Sequence, residues 1–145
     1  MVPSLVTERI ESVKAGIFGA GAFTVAELVV NMIEVTLTNV FPELSLTTTV
    51  FEQTWLVQLA FGAASGFLFG VTYRYVIRGD RNSHLNDGAV LAFGLVRGFA
   101  LVEKNLAVFG LLSLSALVIQ SIICFAIARY VLDLAIARKL IKPFL

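Results

Sequence analysis

The sequence predicts an all-α integral membrane protein: a bundle of four transmembrane helices with both termini on the cytoplasmic side. Three observations carry this expectation. The 145-residue chain is 58% hydrophobic and 14% charged, against roughly 45–50% and about 25% in a soluble globular chain. It therefore cannot furnish the polar surface that a soluble domain of this size needs. Four apolar stretches approach or exceed the roughly 20 residues required to cross a bilayer core. The lysines and arginines gather on one side of the resulting topology.

The whole chain, 1–145, reads as a single membrane domain. The first apolar stretch covers residues 15–37 and the second 54–77. The third, 88–102, is short and spans only by running through its polar ends or across a thinned bilayer. The fourth, 106–132, is long enough to run on toward Leu140. Residues 38–53 hold Asn39, Pro42 and the run Thr47-Thr48-Thr49, and read as a loop with Phe41, Leu44 and Phe51 at an interface. Residues 79–87 form a polar turn, with Asn86 or Asp87 as the expected N-cap of the third helix. Glu103, Lys104 and Asn105 are expected to make a tight turn before the fourth helix. The opening residues mix Glu8, Arg9, Glu11 and Lys14, unlike a cleavable signal peptide, so the first helix is expected to direct insertion. No internal repeat of the inverted-transporter kind is visible.

Orientation follows from the cations. Arg9, Lys14, Arg74, Arg78, Arg81, Arg129, Arg138, Lys139 and Lys142 fall on one side. Lys104 lies on the other, with Glu43, Glu52 and Glu103. Such an excess marks the cytoplasmic face or its equivalent in an organelle. Tyr73, Tyr75 and Tyr130 sit at the basic boundary and Trp55 at the opposite one, where amphipathic rings settle.

Two constellations carry information. Gly62, Gly66 and Gly70 repeat every four residues along one face of the second helix, as Gly94 and Gly98 do on the third, and Gly16 and Ala20 on the first. In lipid, helices associate by close packing, and small residues mark the contacts. Internal packing is the expected use. A homo-oligomer or partner interface, or a lipid or pigment lodged in the groove, would use the same feature.

Glu27, Asn31 and Glu34 share one face of the first helix. A carboxylate in hydrocarbon is costly unless paired, protonated or turned inward. At about 1.5 Å rise per residue, Glu27 lies roughly 18 Å from the basic side, Arg97 roughly 15 Å and Glu34 roughly 28 Å. The expected arrangement is a Glu27–Arg97 ion pair bridged by Asn31, with Glu34 nearer Lys104. Such a cluster fixes helix register, relays protons or ions, or docks a partner subunit. Gln120 and Ser121 on the fourth helix are expected to make an interhelical hydrogen bond. Arg74, Arg78 and Arg81 read as a cytoplasmic docking surface for a partner or anionic lipid, since Arg meets acidic groups in a fixed fork.

Other chemistry has little support. The lone histidine, His84, stands in a polar turn near Asp80 and Asp87, a spacing that matches no specific metal site. Cys124 is the single cysteine and lies in an apolar run. There is no Gly-x-Ser-x-Gly elbow with a buried histidine, no HExxH and no phosphate-binding loop. Nothing requires a cofactor, and a net charge of +1 gives no reason to expect nucleic acid.

The stretch Phe69-Gly70-Val71-Thr72-Tyr73-Arg74-Tyr75, followed by Asn86-Asp87-Gly88-Ala89-Val90-Leu91-Ala92-Phe93-Gly94-Leu95-Val96-Arg97-Gly98, resembles a family of small membrane proteins of cyanobacteria and chloroplasts. The resemblance implies a thylakoid or plastid-related membrane and a role near the photosynthetic machinery. It carries no ligand or activity. These features together favour a non-enzymatic accessory, assembly or structural subunit of a larger membrane complex, with lipids and a membrane protein or a second copy as partners. The rival is a small proton-coupled transporter or channel using Glu27 and Glu34.

Overall fold

The computed structural model describes residues 4–42, 54–78, 82–107 and 110–144. Four helices account for nearly all of them: α1 (Leu5–Val40), α2 (Thr54–Val76), α3 (Ser83–Asn105) and α4 (Leu111–Ala137). All four are long and apolar enough to cross a membrane.

Local chemistry sets their ends, and in three places moves them from the sequence expectation. α1 begins ten residues before the apolar stretch, at Leu5, because Ser4 caps it by accepting from the Thr7 amide at 3.3 Å. Its charged first turns remain helical because their side chains have partners, described below. It stops where Phe41, held extended ahead of Pro42, takes φ −129° and ψ 80°. α3 begins at Ser83 and not at the expected Asn86 or Asp87. Asn82 is the cap, its side chain accepting from the His84 amide at 3.2 Å. Its 23 residues run through the polar ends, the first of the two expected alternatives, and reach about 34 Å, so no thinning of the bilayer is needed. The expected tight turn at residues 103–105 is instead the last turn of α3, and α4 starts at Leu111 behind Gly110.

α4 ends in a Schellman motif. The Lys139 amide bonds to Ile136 O and the Leu140 amide to Ala135 O, both at 2.9 Å, with Lys139 at φ 59°. A left-handed conformation costs a side-chain-bearing residue roughly 1–2 kcal/mol. Lys139→Gly is therefore expected to raise stability by about 0.5–1 kcal/mol once glycine's own chain-entropy penalty is subtracted. Equilibrium unfolding in detergent would check this.

The helices form a ring in which α1 packs on α2 and α4, and α3 on α2 and α4. α2 and α4 touch across the short diagonal, while α1 and α3 face each other across the long one. The Lys142 amide donates to Glu11 Oε2 at 2.9 Å, so the start of α1 and the tail after α4 meet at one end of the bundle. The core lies toward that end. Phe23, Phe69, Phe93 and Phe125 interlock there, with ring centroids 4.6–5.7 Å apart, and Leu132 and Ile141 close it below. The outer faces are apolar. Met32, Val96 and Leu112 are about 70% exposed, the pattern of a surface suited to lipid or to a protein neighbour.

Glycines set the closest approaches. On α2, a Cβ at Gly66 would stand 2.7 Å from the Gly19 carbonyl oxygen, and one at Gly70 would collide with the Ala15 carbonyl oxygen. On α3, a Cβ at Gly94 or Gly98 would meet the α4 backbone at Ile122 or Val118, 2.9 Å away in each case. Backbone cannot yield as a flexible side chain does. Gly70→Ala is therefore expected to cost about 1–3 kcal/mol by overpacking. Gly21→Ala, with nothing within 4 Å of the added carbon, is expected to be neutral or stabilising by up to about 1 kcal/mol. Paired melting curves would check the contrast.

Candidate functional site

Two buried polar clusters hold Glu27, Arg97 and Arg74, three of the charged residues that the sequence singles out. The first lies inside the bundle, across its long diagonal. Arg97 Nη2 donates to Glu27 Oε1 at 2.7 Å, with the two side chains only 11% and 12% exposed. The same nitrogen makes a longer bond, 3.4 Å, to the Gln58 carbonyl of α2. Phe23 places its ring 5.1 Å from the guanidinium carbon, close enough for a cation–π contribution. Gly62 makes room for the pair: a Cβ there would collide with Glu27 Oε2 and stand 3.0 Å from Arg97 Nη2. So one of the three periodic glycines of α2 accommodates an ion pair, while Gly66 and Gly70 admit the α1 backbone.

Glu27 Oε2 is buried with no donor among the described residues. Asn31 is not the expected bridge. Its Oδ1 faces Gln120 Nε2 of α4 at 3.5 Å, because one further helical turn carries it past Arg97 and toward the neighbouring helix. That contact is at the outer limit of a hydrogen bond. Glu34 is half-buried, about two turns beyond Glu27, and its carbonyl accepts from Thr38 Oγ1 at 2.9 Å. Gln120 thus reaches across helices, whereas Ser121 Oγ is buried without a partner among the described residues.

The second cluster lies at the end where the termini meet. Arg74 is 1% exposed, the largest of the fully buried side chains. Its Nη2 pairs with Glu8 Oε2 at 2.5 Å, Nη1 donates to Ser12 Oγ at 2.7 Å and to the Glu8 carbonyl at 3.1 Å, and Nε donates to the Lys142 carbonyl at 2.9 Å. Glu11 takes Lys14 on one oxygen at 2.8 Å and the Lys142 amide on the other. One guanidinium therefore ties together the start of α1, the end of α2 and the tail after α4. This corrects the expected docking surface: Arg74 faces inward and its fork is filled by the chain's own acceptors. Arg78 is exposed, its guanidinium carbon 5.2 Å from the Phe144 ring centroid. Arg81 lies outside the described residues.

A third polar group joins the other helices at the same end. Arg129 of α4 pairs with Asp87 of α3 and lies 3.6 Å from Asp133, whose other oxygen accepts from the α2 Tyr73 hydroxyl at 2.7 Å. Sequence reasoning missed Glu8, Ser12, Asp87, Arg129 and Asp133 as partners. The available signal was that the basic end carries acidic residues as well as the excess of cations. His84 is exposed at the start of α3, and Asp80 lies outside the described residues.

Known proteins add no constraint. No family model, no curated protein and no solved structure matches this chain.

Proposed function

We propose that this protein is a non-enzymatic structural or assembly subunit of a larger membrane complex, with its basic end on the cytoplasmic side. The observation that carries the proposal is the Glu27–Arg97 pair, closed in by Phe23 and Gly62. A carboxylate that serves as a carrier must exchange partners, whereas here a fixed cation holds it across the long diagonal of the bundle. Arg74 is engaged in the same way at the basic end. These polar side chains thus serve the bundle itself, and little of the described chain stands outside its helices. The apolar flanks are left for lipid or for neighbouring subunits. The resemblance of the α2–α3 hairpin favours a photosynthetic partner.

Gentle detergent extraction of the tagged protein from native membranes, followed by native electrophoresis and mass spectrometry, tests this reading. Stoichiometric migration with a large complex is expected, and mass spectrometry of that band identifies the partner. Migration as a monomer or dimer alone argues against a subunit role.

The second reading, proton-coupled transport, draws on the undonated Glu27 Oε2. A carboxyl oxygen with no fixed donor is where a proton would be carried.

A further inference from the structure

A groove of about 430 Å³ opens between α3 and α4 near the basic end. Val90, Leu91 and Ala126 form its apolar part, and Asp87, Arg129 and Asp133 its polar part. Tyr130, 73% exposed, stands at its rim. The groove is open on the outer face of the bundle, where Leu91 is 47% exposed.

The order of these groups along α4 is informative. α4 runs toward the basic end, so Ala126 lies deepest, Arg129 about 4.5 Å farther out, and Asp133 about 6 Å beyond that. Apolar surface, guanidinium and carboxylate therefore succeed one another from the membrane interior toward water. A zwitterionic phospholipid presents the complementary sequence: acyl chain, phosphate, ammonium. The charge balance agrees. One arginine set between two aspartates leaves the groove with one net negative charge. An anionic headgroup would be repelled by the second carboxylate, whereas an ammonium group neutralises it.

We propose that the α3/α4 groove is a binding site for a zwitterionic phospholipid, its acyl chain over Leu91 and Ala126, its phosphate toward Arg129 and its ammonium toward Asp133. The site would anchor the bundle at a fixed height in the bilayer. The proposal rests on the bilayer placement and not on the partner complex. A chain that migrates alone on native gels can still select this headgroup, so the two failures are distinguishable.

The test is native mass spectrometry of the full-length protein titrated with phosphatidylethanolamine, phosphatidylglycerol or a sugar-headed glycerolipid of matched acyl chains. Phosphatidylethanolamine is expected to bind about five-fold more tightly than the other two, the effect of one partly exposed ion pair. Asp133→Asn is expected to remove that preference. Leu91→Trp, which fills the groove and leaves the charged residues in place, is expected to weaken phosphatidylethanolamine binding by a similar factor. Should Asp133→Asn fail to fold through loss of its Tyr73 bond, the headgroup series and Leu91→Trp decide alone. Equal binding of all three lipids, preference for the anionic or sugar-headed lipid, or indifference to Leu91→Trp would overturn the proposal.

Discussion

Arg97→Leu is expected to destabilise the bundle by about 3–5 kcal/mol, the usual cost of leaving one member of a buried ion pair unpartnered. The reason lies in the enclosure. Glu27 is 12% exposed on its side chain, and its Oε1 has Arg97 as its donor. Its Oε2 is already without one among the described residues. Removing the guanidinium leaves a carboxylate between Phe23 and Gly62 with no compensating charge, inside the bundle. The paired substitution Glu27→Leu with Arg97→Leu removes both desolvation penalties and is expected to recover most of the loss. A double-mutant cycle by equilibrium unfolding in mixed detergent measures the coupling. A coupling near zero would mean that the pair contributes nothing to holding α1 to α3.

Arg74→Leu is expected to have an effect of similar size, about 3–5 kcal/mol, for a different structural reason. Arg74 is buried at 1% exposure and bonds to Glu8, Ser12 and the Lys142 carbonyl. Its loss orphans an acidic side chain and releases two separate segments from each other. The tail carries a spectroscopically simple consequence. Residues 140–144 are held by the bond from Arg74 to Lys142 and by Phe144 against Tyr75, with ring centroids 4.9 Å apart. Faster backbone amide exchange in the tail and in the first two turns of α1 is expected together, while the Phe23–Phe125 region keeps its protection. Exchange confined to the tail would show that the start of α1 is held by other contacts.

Much of this arrangement can be read from the residues. Four spans follow from hydropathy and length, because lipid demands long helices whatever packs against them. Glu27 and Arg97 can be paired on paper because depth along parallel helices is a linear function of residue number. The periodic glycines of α2 point to close packing for the same reason, since four-residue spacing keeps them on one face. What escapes is azimuth and end chemistry. Asn31 lies about 6 Å beyond Glu27, already past the level of Arg97, where it faces Gln120 of α4. Counting cations locates a basic end but does not say which of them turn inward, so Arg74 reads as surface although Glu8 and Ser12 enclose it. The start of α1 escapes too, because the charges at residues 8–14 mask a helix that continues out of the apolar zone. The start of α3 escapes because Asn82, Asn86 and Asp87 are all competent caps, and the structure uses the first, whose side chain accepts from the His84 amide, while Asp87 pairs with Arg129.

On the structural reading proposed above, the polar side chains inside the bundle hold it together and do not move a proton. Proton flux into liposomes reconstituted with the wild-type protein or with Glu27→Gln tests it most directly. Under a pH gradient, both are expected to match protein-free vesicles. A flux above that background in the wild type, abolished by Glu27→Gln in a protein that still folds, would contradict the account and make Glu27 a carrier.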